Sequence, residues 1–335
     1  MKNILVVNIN WLGDAVFSTP VFKALKENYP HARVTCLCVP RVKKVLEFCP
    51  FIDEIIICDE KKAHFWPWDK WALIADLRRR SFDIAFLLHR STTRGLFVYL
   101  AGIPARVGYC KMKGLLTHPV DFKDEGIHRS DVYLKVLENF GLKIKDRSCH
   151  LNLKADCATQ LTRILEDHGI AKNEKFIVCH TAGNWDLKRW PASYFVQLIE
   201  TITERFSMKV VLSGALGDLE YCQSINQQAN NKAIVLAGET SLGESLALYR
   251  RSQLLISSDS GPLHLAHSVG ANVIGVFGPT RPEITGPRGI GRAEVLFKDV
   301  GCNKAACYHL SCLSNLCMQS ITVDDVLKAI EKLSS

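Results

Sequence analysis

Short, β-rich apolar runs alternate with helix-period segments along nearly the whole chain, and no other feature constrains the fold as much. Lys2 to Ile9, Arg33 to Val39, Glu54 to Cys58, Phe82 to Leu88 and Ala105 to Tyr109 read as strands. The helices between them are a segment from Asp14 to about Asn28, Arg41 to Phe48, a stretch ending near Arg80 after the Trp-rich link Phe65 to Trp68, and Ser91 to Leu100. Ile127 to Phe140 is a further helix, and the polar, charge-mixed stretch Lys143 to Asp156 reads as a linker. The rhythm then restarts. Phe176 to His180, Lys209 to Leu212, Ile234 to Leu236 and Leu254 to Ile256 are strands, interleaved with helices at Ala192 to Arg205, Asp218 to Ala229 and Leu242 to Arg250. Strand–helix–strand repetition predicts mostly parallel sheets covered by helices on both faces. The expected class is therefore α/β, with doubly wound halves at 1–150 and 151–320 and a last helix, Val323 to Leu333, in the segment 321–335. A cleft between the carboxyl ends of the two sheets would let one half hold a donor and the other an acceptor.

Composition narrows the function classes. With 335 residues, 47% apolar and 23% charged, the chain supports two ordinary cores and reads as globular. It has no run of about 18 apolar residues such as a spanning helix needs, and Asn8, Asn10 and Asp14 interrupt the start, which is unlike a signal peptide. The expectation is a cytoplasmic protein. A net charge of +8 favours anionic partners, and a nucleotide sugar, a phosphorylated acceptor or an anionic membrane surface would each fit. No nucleic-acid module is present, and the basic cluster Arg78–Arg80 ends a predicted helix, where cations suit the dipole. The basic loop Lys111 to His118 reads as solvated surface or as a contact for an anionic acceptor.

Functional information is densest between Ser257 and Pro287. After the strand, Asp259 and Ser260 are good capping residues, Gly261 lets a ligand approach the backbone, and Pro262 suits a first helical position. A helix start at the carboxyl edge of a parallel sheet presents free N–H groups to a diphosphate. Asp259 and Ser260 also fit a plain capping role, with Asp259 a fixer of the cradle, and His264 fits either a diphosphate donor or a packed, satisfied histidine. At the N-terminus, Trp11-Leu12-Gly13-Asp14 forms a strand–glycine turn–helix, but G-x-G-x-x-G is absent, so NAD is not expected.

Together these stretches resemble a family. W-x-G-D at Asp14, K-R-W-P at Lys188 to Pro191, D-S-G-P-x-H at Asp259 to His264 and G-V-F-G-P-T at Gly275 to Thr280 occur in the order found in the bacterial lipopolysaccharide heptosyltransferases, glycosyltransferase family nine. The resemblance implies a GT-B fold in which the last helix crosses back onto the N-terminal domain. It implies inverting, metal-independent transfer without a cofactor, from an ADP-heptose donor to the lipopolysaccharide inner core on the inner face of the cytoplasmic membrane. It assigns Asp14, beside Gly13, as the base, where the residues alone favour an ordinary acid in a first helical turn. Lys188 would meet donor phosphate and Asp218 the ribose hydroxyls, N-capping being the other reading of Asp218. Thr240 and Ser241 match positions near the base of the nucleotide, and Gly183 and Asn184 would flank the phosphates in a loop one residue longer than in some members. The N-terminal motif, with A-G-I-P-x-R at Ala101 to Arg106, looks closer to members adding the second heptose. A sugar-nucleotide epimerase or a non-catalytic nucleotide-binding protein would share the cradle.

Nine of the 13 cysteines are scattered as in a reduced protein. The other four, Cys302, Cys307, Cys312 and Cys317, recur every five residues. Such steps rotate by about 140° on a helix, so one helical face does not collect them, whereas a loop could. A metal, disulfides and free thiols all remain open for this group.

Overall fold

The computed structural model describes residues 1–59, 67–121, 126–183, 185–302, 307, 312 and 314–334. Phe65, Trp66 and Asn184 lie outside the described residues. The chain divides between Asn152 and Leu153 into two compact units.

In the first unit, β1 (Asn3–Val7), β2 (Arg33–Cys38), β3 (Glu54–Ile57), β4 (Ile84–Leu87), β5 (Ala105–Gly108) and β6 (His118–Pro119) form one parallel sheet in the order 3-2-1-4-5-6. Its central strands are buried on both faces, which is why they read as continuous apolar runs. Leu5, Val7, Leu77, Phe97 and Val98 belong to the core on one side of this sheet. The order reverses between β1 and β4, so the loops leaving these two strands diverge and open a crevice at their carboxyl ends.

The segment read as one helix from Asp14 to Asn28 is two helices, Leu12–Phe17 and Thr19–Asn28. Pro20 has no N–H to give to the preceding turn. The side-chain hydroxyls of Ser18 and Thr19 instead bond the carbonyls of Ala15 and Val16, each at 2.8 Å.

The second unit repeats the plan. Here β7 (Phe176–His180), β8 (Lys209–Ser213), β9 (Ala233–Val235), β10 (Leu254–Ser258), β11 (Val273–Phe277) and β12 (Ala293–Phe297) are all parallel, in the order 12-11-10-7-8-9. Numbered within this unit, that is the first sheet's order again, with the reversal between β7 and β10. A helix and a strand here go beyond the sequence reading. Helix Ala155–Asp167 starts inside the expected linker and buries Cys157, Leu161 and Leu165, a stripe at four-residue steps. Strand β12 is an edge strand whose side chains are mostly half-buried, so it lacks a core strand's apolar run.

The apolar face of the last helix, Val323–Ser334, is used by the second unit. Val326, Leu327, Ile330 and Leu333 share a core with Leu198, Ile199, Ile202 and Val210. Local anchors explain this. The buried indole of Trp190 donates to the Ile321 carbonyl (2.8 Å), and Lys298 and Lys332 pair with Asp325 (2.6 Å) and Glu294 (2.8 Å). Among the described residues, no helix is long and apolar enough to cross a membrane.

Candidate active site

Both strand reversals carry the residues singled out above. In the first unit the chain leaves β1 through Asn8 and enters helix Leu12–Phe17, with Gly13 and Asp14 half-buried in its first turn. The helix has no side-chain cap on its N-terminal residue, Trp11, which is 66% exposed beneath the Arg41 guanidinium, 4.3 Å from the ring centroid. Asp14 is aimed by a residue the sequence did not suggest. The buried Tyr133, on helix Arg129–Asn139, donates its hydroxyl to Asp14 Oδ1 at 3.0 Å. Burial, and then the Asp14 carboxylate, push the Tyr133 pKa well up, so the phenol keeps its proton and remains a donor.

Tyr133→Phe is expected to remove this restraint without opening a cavity. Hydrogen bonds to charged groups contribute about 1.5–3 kcal/mol. The turnover number should therefore fall by about ten-fold or more while donor affinity, measured by calorimetry, stays unchanged.

In the second unit, β10 ends at Ser258 and helix Gly261–Ser268 begins three residues later, with Pro262 in its first turn. Asp259 lies between them and is only 5% exposed. Its Oδ2 accepts from Lys188 Nζ (2.6 Å), Thr280 Oγ1 (2.6 Å) and Thr285 Oγ1 (3.2 Å), and its Oδ1 pairs with His264 Nε2 (3.2 Å). Burial alone would raise the pKa of this carboxyl. The His264 hydrogen bond and charge, followed by Lys188, outweigh it and hold the group well below the usual carboxylate range. Asp259 is thus an ionised hub that fixes its neighbours. His264 is buried with its Nε2 turned to that hub.

Ser260 bonds Ser257 through their hydroxyls (2.9 Å) and gives no side-chain cap to the helix. The helix's first amides have no intrahelical acceptors, so its start keeps donors for an anion. Lys188 comes from the short turn Asp186–Lys188, 71 residues earlier in sequence than Asp259. Its ammonium has three donors and gives one to Asp259, leaving others for a phosphate. Of the neighbouring pair, Arg189 clamps the Gly183 carbonyl through two guanidinium nitrogens (3.1 and 2.9 Å), and Trp190 anchors the turn in the core. Gly183 is half-buried, and a Cβ there would meet open space. Asn184 lies outside the described residues.

The remaining assignments sit on loops after β8 and β9. The Asp218 carboxylate gives no cap to the helix that follows; it folds back to accept from Ala215 N (2.8 Å) and closes its own turn. Gly238 N donates to Gly214 O (3.0 Å), tying the two loops together. Thr240 bonds Ser245 through their hydroxyls (2.8 Å), and Ser241 forms a capping box with Glu244, which gives Ser241 a structural role. The structure therefore gathers Lys188, Asp259, His264, Thr280 and Thr285 into one network, with Ser260 and Gly261 at its edge. Thr280 and Thr285 were missed although both lie between Ser257 and Pro287, because only the folded loop brings them back to Asp259.

Two six-stranded parallel sheets with the same strand order, each with candidate residues at its reversal, define the GT-B class of fold. The glycosyltransferase family 9 (heptosyltransferase) profile matches residues 70–313, and the chain belongs to that family. It is 26% identical over 333 residues to lipooligosaccharide heptosyltransferase 2 of Campylobacter jejuni, covering 97% of each chain. It is 28% identical over 279 residues to lipopolysaccharide heptosyltransferase 3 of Escherichia coli, covering 80% of each. A family 9 glycosyl transferase from Veillonella parvula superimposes with a TM-score of 0.87 at 26% identity, over 99% of this chain and 97% of that one.

Proposed function

We propose that this protein transfers a heptose, with inversion, from ADP-heptose to the inner core of lipopolysaccharide, in the manner of heptosyltransferase II. Membership of family 9 supports the reaction class. The observation that carries the reading is the placement of an acid and of an anion-binding helix start, each at the strand reversal of its own sheet.

In this reading Asp14 takes the proton of the acceptor hydroxyl as that oxygen attacks the anomeric carbon. The C–O bond to the diphosphate breaks on the opposite side, so one displacement inverts the centre. ADP leaves with the bonding pair, and its growing charge meets Lys188 and the first amides of helix Gly261–Ser268. Gly183 and Asn184 flank the phosphates, Asp218 accepts from the ribose hydroxyls, and Thr240 lies near the base. Asp259 acts through Lys188 rather than as a base. The protein works in the cytoplasm, where its net charge of +8 favours peripheral contact with an anionic inner membrane that carries the acceptor.

A calorimetric screen of ADP-, UDP-, GDP- and dTDP-sugars, followed by product analysis, tests the reading. ADP-heptose should bind at least ten-fold more tightly than the others and be consumed only when acceptor is present. Release of free sugar without acceptor would point to epimerase-type chemistry instead.

A further inference from the structure

The family reaction leaves the four C-terminal cysteines without a role. The structure brings them together. Cys302, Cys307, Cys312 and Cys317 all line one cavity of about 140 Å³ in the second unit, between the end of β12 and the last helix. A helix does not do this with five-residue steps. Gly301 (φ +67°) and Asn315 (φ +39°), both in the left-handed region, turn the chain near Cys302 and Cys317.

We propose that these four thiols are the ligands of a single thiophilic divalent ion, zinc or iron(II), which locks the Cys-rich segment onto the second unit. Four sulfurs lining one cavity are the donor set for tetrahedral coordination of such an ion. Four thiolates around a divalent ion leave two negative charges. Arg281 and Lys298 line the same cavity and offset them, with Asp299 the opposing group.

Among the described residues, no three His, Cys, Asp or Glu side chains stand close enough to share an ion. The thiols ring the cavity wall, and binding draws them inward as each gives up its proton. The brace would reach the donor loop. Cys307 N donates to the Pro279 carbonyl (2.9 Å), and the next residue, Thr280, bonds Asp259.

The full chain, purified under reducing conditions and reconstituted with zinc or iron(II), is analysed for metal by mass spectrometry and for accessible thiols. About one equivalent per chain is expected. Chelation should lower the melting temperature and expose four additional thiols, and restored metal should reverse both changes. Which ion the protein holds as isolated distinguishes zinc from iron. The double variant Cys312→Ser/Cys317→Ser should lose the metal, while Cys110→Ser should keep it. Cobalt(II) added to the metal-free wild type should give sulfur-to-metal charge-transfer absorption, a readout that does not depend on the double variant folding. Failure to take up metal, with all four thiols reactive, would overturn the proposal, as would unchanged stoichiometry in the double variant. The readouts involve no sugar transfer, so their outcome stands apart from the assigned reaction.

Discussion

Replacing Asp14 by Asn should abolish transfer and spare donor binding. The substitution keeps the side chain's shape and leaves Tyr133 an oxygen to bond, but removes the group that would accept the acceptor's proton. General base catalysis contributes about 10²–10⁴-fold, and the turnover number should fall within that range. ADP-sugar affinity should change less than two-fold or so, because the donor contacts assigned above come from the other unit. Single-turnover kinetics and calorimetry on the same preparation separate these effects. A fully active variant would remove Asp14 from the mechanism and leave the fold assignment intact.

The second large effect is expected at Asp259. Asn at this position leaves a lysine, two threonine hydroxyls and a histidine around a neutral amide in a buried site. Breaking a buried pair by removing one partner costs about 3–5 kcal/mol, and because Lys188 is partly exposed and can turn to water the lower end applies. A loss of about 3 kcal/mol would lower the melting temperature by about 6–12 °C. Donor affinity should fall with it, since Lys188 loses its tether.

The same carboxylate predicts an acid dependence. Its folded-state pKa lies below that of an unfolded aspartate, about 3.9, so its full contribution is present above that pH. It is lost as pH falls through the folded value. Urea midpoints should therefore drop more steeply on acidification in the wild type than in Asp259→Asn.

The alternation of runs was enough to reveal two parallel sheets, because strands buried on both faces carry their environment in their composition. Elements at the margins were less legible. Strand β12 is an edge strand, and helix Ala155–Asp167 shows its apolar stripe only through three residues in an otherwise polar segment. The last helix was readable in its bounds, but nothing in Val326, Ile330 and Leu333 says which core they enter; the Trp190–Ile321 hydrogen bond decides that. Among the candidate site residues, those defined by local chain geometry, such as Ser260 and Gly261 at a helix start, were visible in the sequence. Contacts across long separations were not: Tyr133 meets Asp14 over 119 residues, and Thr280 closes back on Asp259 over 21.

The indole of Trp190 ties two distant parts of the chain to one point. The turn carrying Lys188 hangs from the segment just before the last helix, and Gly278 has no side chain because Met318 fills that space. The C-terminus is consequently part of the foundation of the turn that carries Lys188. A shortened tail, or a bulky fusion that pulls on it, would register as weaker hold on the nucleotide even though no residue of that tail touches it in the assigned mechanism.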